Sequence, residues 1–310
     1  MDATVPVSRT RYAIVHYHIF KNGGSTIDAI LEREFPGRFA TIHGSDPDAA
    51  LDAGDLIDFL AVHPEIAAVS SHHLRYPKPV ERRTVFFDCC FLRHPLARLY
   101  STYQHFRRSD SPALIARWAR SYDPPKFAAR LIGEAPHLVS DAQVTQLANA
   151  GAFVRPADGQ DLERAAVVVR EMALPGLVEM FDESLAAAEY FLRPAFPTLR
   201  LEYIPTNVSD VGRSAAEQPR EYWEGIWGKE VCGRLLRMNE MDLELIGRMR
   251  TEILRRLERV PQAAEKVQEL RSRCGRLAAQ GEGRASAAIS AVPGGEEAVG
   301  GSRAVRTSGG

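Results

Sequence analysis

Apolar residues occur along the chain in short runs that are separated by longer stretches of mixed polarity. Four of these runs are predicted as β-strands, at residues 12–19, 85–92, 176–180 and 199–203. The segments between them carry apolar residues at intervals of three and four positions, which is the period of an amphipathic helix. Strands that alternate with such helices are typical of a mainly parallel sheet with helices on both faces. The pattern therefore predicts an α/β fold.

The run from Thr84 to Leu92 is nearly continuous in apolar residues instead of alternating. A strand that is covered on both faces has this composition, so we predict that the run forms a central strand of the sheet. Its one charged residue, Asp88, has no explanation in the pattern. Cys89 and Cys90 are neighbours within the same run, where a free cysteine usually behaves as a small apolar residue. We expect both thiols to be buried.

The C-terminal part of the chain has a different composition. Residues 221–276 are rich in Leu, Arg, Glu and Met at helical spacing, with an interruption expected near Pro261. Residues 281–310 contain eight of the 23 glycines and no aromatic residue, a composition that cannot bury enough apolar surface to offset its ordering entropy. We therefore divide the chain into a main domain at 1–260, a helical extension at 261–280 and a disordered tail at 281–310.

Charge and hydropathy exclude several classes of protein. The 310 residues include 39 basic and 40 acidic side chains, so the formal net charge of −1 attracts neither nucleic acid nor an anionic membrane surface. No apolar stretch reaches the roughly 18 to 20 residues of a membrane-spanning helix, and residues 1–19 lack the features of a signal peptide. The sequence predicts a cytoplasmic protein without a transmembrane segment, in which any anion is bound at a local site.

The four cysteines do not indicate a metal site or a disulfide framework. They occupy positions 89, 90, 232 and 274, without the paired spacing of a zinc site, and four thiols are few for a chain of this length. We therefore predict reduced thiols and no bound metal.

The first predicted strand ends in the sequence HIFKNGGST and leads directly into an amphipathic helix at 27–34. A glycine turn between a strand and a helix brings free backbone N–H groups and the positive end of the helix dipole to one point, which favours an anion. The candidate binding residues are Lys21, Asn22, Gly23, Gly24, Ser25 and Thr26. A Walker nucleotide-binding loop carries its lysine after the glycines, whereas Lys21 precedes them.

A second candidate anion site follows the central strand, in the sequence FLRHPLARLYS. Pro95 suits the first turn of a helix, and Arg93 lies at the carboxyl end of the strand, where open α/β sheets bind their ligands. Arg93 and Ser101 are the residues that we expect to hold this anion. Two anion sites without a cluster of carboxylates between them indicate a nucleotide that carries two separated anionic groups.

Together these two segments resemble sulfotransferases that use 3′-phosphoadenosine 5′-phosphosulfate (PAPS), and specifically the carbohydrate-type branch. That family's first motif usually reads HIPKTGGTS, and its second motif has the same gap of eight residues that separates Arg93 from Ser101. Three weaker similarities lie at 140–147, 176–185 and 236–245. The chain departs from the family at Phe20, Asn22, His94 and Thr145, where proline, threonine, aspartate and arginine are usual.

The resemblance implies a P-loop-like three-layer fold and a PAPS-dependent sulfotransferase activity in the domain at 1–260. It also implies that Lys21 lies beside the bridging oxygen of PAPS, that residues 23–26 bind the 5′-phosphate, and that Arg93 with Ser101 binds the 3′-phosphate. PAPS is then the donor substrate, and the expected acceptor is a hydroxyl of a carbohydrate or glycoconjugate. Sulfuryl transfer moves a charged group in line between two oxygens, so the protein mainly positions the reactants and stabilises charge on the leaving oxygen.

The attacking hydroxyl needs a base, for which the sequence offers His72 and His73. Both follow a short apolar run at a predicted strand end, in the segment VSSHHLRY. The H-x-x-Y spacing of the family favours His73, whereas the small residue that precedes the histidine favours His72, so both are candidates. His43 is a third candidate, and we expect His16 and His18 to be satisfied groups in or near the core.

Two other functions remain open at this level. A nucleotide-dependent kinase of related fold would require magnesium and a Walker lysine, which the sequence lacks. A non-catalytic, sulfotransferase-like binding module would have lost the lysine or the base, and both are present. The long C-terminal helices either mediate a homodimer or pack on the sheet, and we expect no nucleic-acid partner.

Overall fold

The computed structural model describes residues 10–46, 49–148, 155–204 and 218–290, with side chains up to residue 280. Its strands are β1 (Arg11–Tyr17), β2 (Phe39–Thr41), β3 (Ala68–Ser71), β4 (Thr84–Leu92) and β5 (Leu174–Leu177). Its α-helices are α1 (Gly24–Glu34), α2 (Ala53–Val62), α3 (Pro95–Arg108), α4 (Leu114–Ser121), α5 (Pro124–Glu134), α6 (Ala142–Ala148), α7 (Gly159–Glu171), α8 (Phe181–Leu192), α9 (Arg220–Trp227), α10 (Lys229–Arg237), α11 (Glu240–Leu257) and α12 (Ala263–Ser290).

These five strands form one sheet in the order β2–β3–β1–β4–β5. Each neighbouring pair is parallel, and Val15 of β1 pairs with Val69 of β3 on one side and with Asp88 of β4 on the other. Helices cover both faces of the sheet, and the C-terminal region is helical. The predicted α/β fold with a central parallel sheet is confirmed, although β5 ends at Leu177, earlier than the sequence predicts.

Alternate residues of β4 enter separate hydrophobic cores on the two faces of the sheet. Cys90 and Leu92 lie in the core on one face, and Cys89 and Phe91 lie in the core on the other. Successive side chains of a strand point to opposite faces, so a strand that is covered on both faces favours apolar residues at nearly every position. This arrangement confirms the central strand predicted at 84–92 and the burial of its two adjacent cysteines, which are free thiols.

Asp88 is buried in β4 because three donors satisfy its carboxylate. Lys78 Nζ donates to Oδ1 at 2.7 Å, the N–H of Ala173 donates to Oδ1 at 3.0 Å, and the Tyr76 hydroxyl donates to Oδ2 at 3.2 Å. A buried carboxylate is tolerated when its oxygens are paired in this way. The charge that the pattern does not explain therefore ties β4 to the segments that precede β4 and β5.

The prediction of a strand at 199–203 is wrong, because this segment belongs to no strand of the described sheet. Side chains of two helices satisfy its backbone instead. Glu34 of α1 accepts from the N–H of Arg200 at 2.8 Å, and Glu189 of α8 accepts from the N–H of Leu201 at 2.6 Å. An apolar run predicts burial but not the partner of its backbone. Strand β2, which the sequence does not predict, is too short to appear in the pattern.

The C-terminal helices pack on the sheet. Val267 and Leu270 of α12 are buried in the core that contains Phe91, and Leu245 and Met249 of α11 are buried in the core on the opposite face. Of the two arrangements that the sequence leaves open for these helices, the structure shows packing on the sheet. Within the described ranges, no helix is long and apolar enough to cross a membrane.

The boundaries of the helical region differ in part from the prediction. The interruption expected near Pro261 is confirmed, because α11 ends at Leu257 and α12 begins at Ala263. The backbone of α12 continues through 281–290, into the segment predicted as a tail. The rest of that predicted tail, at 291–310, lies outside the described residues.

A third apolar cluster holds α3 against α4, α5, α9 and α10. Its largest fully buried side chains are those of Trp227, Tyr103 and Phe127. Burial of large aromatic side chains contributes much of the stability of such a cluster. The cluster therefore fixes the position of α3, the helix that carries Ser101 and His105.

Candidate active site

A cavity of about 250 Å³ opens at the carboxyl ends of β1, β3 and β4. Its lining residues are His18, Phe20, Lys21, Gly23, Gly24, Ser25, Thr26, His72, Arg93, Ser101 and His105. Open α/β sheets bind ligands at this edge. Eight of the lining residues belong to the sets predicted for donor binding or for catalysis, so the two predicted anion sites share one space.

The turn between β1 and α1 leaves consecutive N–H groups free. Within the described residues, the backbone N–H groups of Gly23, Gly24 and Ser25 donate to no acceptor, whereas that of Thr26 donates to the carbonyl of Gly23 at 3.0 Å. No side chain caps this end of α1. Free N–H groups at a helix N-terminus carry partial positive charge, so the turn is suited to receive an anion.

Two residues of the turn have left-handed backbone conformations. Gly23 has a φ of 77° and Lys21 a φ of 66°. Glycine adopts this conformation without a steric penalty, but for lysine it costs about 1 kcal/mol or more. Such strain persists only where the surrounding structure maintains it, and it concentrates at functional sites. The contacts that maintain it here come from the residue that follows the lysine and from the end of β4.

Asn22 anchors the turn from the protein interior. Its Nδ2 donates to the carbonyl of Phe91 and to Oε1 of Gln143, both at 2.8 Å, and the residue is 1% exposed. Its backbone N–H donates to the carbonyl of Ile19 at 3.2 Å. The sequence predicts Asn22 as a nucleotide ligand, but the structure turns its side chain away from the cavity. Asn22 instead fixes the turn to the end of β4.

Gln143 extends this anchor to the C-terminal helices. Its Oε1 accepts from the N–H of Arg93 at 2.9 Å, and its Nε2 donates to the carbonyl of Arg93 at 2.9 Å and to Oδ2 of Asp242 at 3.0 Å. Asp242 also accepts from the backbone N–H groups of Gln143 and Val144. Two of the weak sequence similarities, those that contain Gln143 and Asp242, therefore mark buried residues that brace the cavity without lining it.

Arg93 connects the two predicted anion sites. Its Nη1 donates to the carbonyl of Lys21 at 3.1 Å, and the residue is buried. Its Nε has no partner among the described residues. A guanidinium has five N–H donors, so one side chain can hold the turn and still bind a ligand. Ser101 lines the same cavity from α3.

The cavity carries an excess of positive charge. Lys21 and Arg93 line it, and no carboxylate of the described residues does. Burial and then the neighbouring Arg93 lower the pKa of Lys21. Burial and then Lys21 lower the pKa of His105. An anion bound in the cavity would offset the repulsion of Lys21 by Arg93 and of His105 by Lys21.

His72 is the candidate base that lies at the anion sites. It lines the cavity, and its Nδ1 donates to the carbonyl of His18 at 2.9 Å. This hydrogen bond places the proton on Nδ1, so Nε2 carries the lone pair. Burial and then the neighbouring His18 lower the pKa of His72 to about 4. The ring is therefore neutral at pH 7 and able to accept a proton.

His73 and His43 lie together, apart from the residues that line the cavity. Their ring centres are 5.9 Å apart, and Nδ1 of His73 accepts from the N–H of Gly44 at 2.6 Å. Neither histidine is part of the lining. Of the three candidate bases, the structure therefore brings His72 to the anion sites and places the other two elsewhere.

Three lining residues are missing from the sequence-based prediction, namely His18, Phe20 and His105. The Phe20 ring is 37% exposed, lies 5.5 Å from the ring of His105, and has Lys21 Nζ at 5.6 Å from its centre. Its position in the first motif, where the resembling family has proline, is a signal that could have identified it. His105 has no local signal, because only the packing of α3 brings it to the turn.

Asp28 of α1 joins two histidines behind the turn. Its Oδ1 accepts from Nδ1 of His16 at 2.8 Å, and its Oδ2 accepts from Nδ1 of His18 at 3.0 Å. Burial would raise the pKa of Asp28, but the two imidazole donors outweigh it and hold that pKa well below its usual range. The three groups have metal-ligand chemistry and lie within 4.8 Å of one another. Each carboxylate oxygen, however, already has an imidazole partner, as in a hydrogen-bonded cluster.

No family model matches the chain. The chain is similar to an uncharacterized protein of Archaeoglobus fulgidus, with 28% identity over 244 residues that cover 76% of this chain and 94% of that protein. This likeness spans nearly the whole relative but assigns neither a family nor an activity. The function is therefore inferred from the residues of the cavity.

Proposed function

We propose that this protein is a PAPS-dependent sulfotransferase that transfers a sulfuryl group to a hydroxyl. One observation carries the proposal: the free N–H groups of the turn, Lys21, Arg93 with Ser101, and His72 line a single cavity, and no carboxylate of the described residues joins them. Such a site suits a donor with anionic groups at two positions. The motif resemblance supports PAPS as that donor.

Lys21 and the turn stabilise the leaving group in this proposal. The bond between sulfur and the bridging phosphate oxygen breaks, and the oxygen keeps the electron pair. The ammonium of Lys21 and the N–H groups of residues 23–25 offset the negative charge that develops there. Arg93 and Ser101 bind the 3′-phosphate, so that the donor is held at both ends.

His72 accepts the proton of the acceptor in this proposal. The hydroxyl oxygen forms the new bond to sulfur as its proton moves to Nε2 of His72. The hydrogen bond from Nδ1 to the carbonyl of His18 holds the ring in the required tautomer. With a pKa of about 4, His72 is a weak base in the free protein. The negative charge of the bound donor favours the protonated imidazole and so strengthens the base.

The acceptor class rests on the resemblance to carbohydrate-type sulfotransferases. We propose a hydroxyl of a carbohydrate or glycoconjugate that approaches beside His72. The exposed ring of Phe20 lies at the same cavity and offers an apolar face against which a sugar ring can pack.

Calorimetric titration of the metal-free protein with adenosine 3′,5′-bisphosphate (PAP), the product nucleotide, tests the proposal without knowledge of the acceptor. We expect PAP to bind at least about tenfold more tightly than ATP with magnesium, a difference of about 1.4 kcal/mol. A preference for magnesium-ATP would support a kinase. Binding of neither nucleotide would support a non-catalytic module.

The substitution Arg93→Ala tests the 3′-phosphate site. We expect it to weaken PAP binding at least about tenfold more than AMP binding, because AMP lacks the 3′-phosphate and a lost charge-assisted contact costs about 1.5 to 3 kcal/mol. Arg108→Ala, at the exposed end of α3, removes the same charge as a control. Equal losses for PAP and AMP would mean that Arg93 only supports the carbonyl of Lys21.

A further inference from the structure

We infer that His18 is a ligand of the anion bound at the glycine turn, and that Asp28 is the positioning residue that holds it there. This inference rests on the proposed function for the identity of the donor. It adds to the turn a donor group that opens the first motif but that the predicted set of binding residues does not include.

The position of His18 is the first ground for the inference. The residue is 8% exposed and lines the cavity. A Cβ built on Gly24 would lie 2.0 Å from Nε2 of His18, so this nitrogen lies directly against the first residue of α1. Nε2 has no hydrogen-bond partner among the described residues, whereas Nδ1 is bonded to Asp28. A ring nitrogen without a protein partner, in a residue that is mostly buried, therefore lies against Gly24, whose N–H is free.

The orientation of the ring is the second ground. Nδ1 of His18 is held by Oδ2 of Asp28 at 3.0 Å. The ring centre lies 5.0 Å from that of His16 and 3.8 Å from that of His72. A ring that is bonded at one nitrogen and packed against two other rings keeps Nε2 at the turn. Ligands are bound more tightly by groups that are already oriented in the free protein.

The charge of the ring follows from these contacts. Nδ1 donates to the carboxylate of Asp28, and Nε2 must also carry a proton to donate to an anion. His18 is therefore an imidazolium in the complex, with one negative group at each nitrogen, and the added proton comes from solvent. The charged and titratable groups that contact the ring are Asp28 of α1, His16 of β1 and His72 after β3. Three further cationic or titratable groups line the same cavity, namely Lys21, Arg93 and His105. Burial and the neighbouring His18 lower the pKa of His72, so the proton is assigned to His18, and the two tilted rings differ in role.

Binding of three probes to His18→Asn and Asp28→Asn tests the inference. The probes are PAP, adenosine 3′-monophosphate, which lacks the 5′-phosphate, and inorganic pyrophosphate. We expect His18→Asn to weaken PAP binding about tenfold. The affinity for adenosine 3′-monophosphate should change by less than about twofold, because only PAP has an anion at the turn. Asp28→Asn should weaken PAP binding less, with the same selectivity. His63→Asn and Asp58→Asn, on or next to α2 and away from the cavity, are the matched controls.

Proton uptake gives a second readout, which a purely structural role would not change. Calorimetry at pH 7.5 in two buffers of different ionisation enthalpy measures the protons that are taken up when PAP binds. The wild-type protein should take up protons on binding, and His18→Asn should take up fewer. Phosphate monoesters have a second pKa of about 6, so the nucleotide itself contributes little at this pH.

The outcomes separate this inference from the proposed function. The role of His18 would be overturned by equal losses of affinity for PAP and adenosine 3′-monophosphate, or by wild-type affinity for PAP in both variants. In either case, the sulfotransferase proposal would still be supported by the binding of PAP to the wild-type protein. If the protein does not bind PAP but binds pyrophosphate in a way that depends on His18, the role of His18 as an anion ligand would be supported and the sulfotransferase proposal would be rejected. If His18→Asn does not fold, the same comparisons with Asp28→Asn test the inference.

Discussion

Replacement of Lys21 by alanine is expected to slow the formation of PAP from PAPS by about 100- to 1000-fold, the loss typical for removal of a group that stabilises developing charge. The side chain lines the cavity and belongs to no hydrophobic core of the described structure, so folding should be unaffected. The rate of PAP release in the presence of a mixture of carbohydrate acceptors measures the effect. Lys126→Ala, a 73% exposed lysine side chain on α5, is the control.

Replacement of Lys21 by glycine should separate activity from stability. The left-handed φ of 66° is strained for lysine and for alanine but not for glycine. Lys21→Gly should therefore lose the same activity as Lys21→Ala and gain about 1 kcal/mol in the free energy of unfolding. Urea unfolding of the three proteins measures this difference. Wild-type activity in either variant would remove Lys21 from the proposed mechanism.

The substitution Gly24→Ala is expected to have the largest effect on the structure of the site. The new Cβ would lie 2.0 Å from Nε2 and 2.1 Å from Cδ2 of His18, a distance at which one group must move. The ring cannot move freely, because Asp28 bonds it and His72 packs on it. We expect a loss of about 1 to 3 kcal/mol in the free energy of unfolding, as for overpacking, and at least about tenfold weaker PAP binding.

Gly247→Ala is the matched control for this prediction. Gly247 lies on the exposed side of α11, and nothing lies within 4 Å of the Cβ that it would gain. This substitution should raise the free energy of unfolding by up to about 1 kcal/mol, since alanine favours helix over glycine. In Gly24→Ala, the further substitution His18→Ala should recover part of the lost stability. No recovery in the double variant would show that the ring is not what requires glycine at this position.

The layout of the fold follows from local patterns in the sequence. The nearly continuous apolar run at 84–92 has the composition of a strand with both faces covered, and the structure places it between β1 and β5. The turn before α1 also follows from local sequence, because glycine at position 23 tolerates a φ of 77°. The segment at 199–203 shows the limit of such reasoning, since its apolar residues are buried but its backbone bonds to helix side chains.

Only some of the residues that line the cavity could be predicted from the sequence. Lys21 and Arg93 line it as predicted, because each follows a parallel strand and such strands end at one edge of the sheet. Asn22 is adjacent to Lys21 but points inward, toward an acceptor on Gln143 that is distant in sequence. His72 and His73 are neighbours that the sequence does not distinguish as candidate bases. Of the two, only His72 lines the cavity.

The amino-acid sequence by itself determines the alternation of strands and helices, the turn that exposes N–H groups and the cations beside it, because each depends on residues that are close together in the chain. The tertiary structure alone decides which of the candidate histidines lines the cavity, why Gly24 must lack a side chain, and that His18 reaches the turn. These features depend on the packing of β1, β3 and α1 against one another. A ring nitrogen is directed by its partner at the opposite nitrogen, and in His18 that partner belongs to the neighbouring helix.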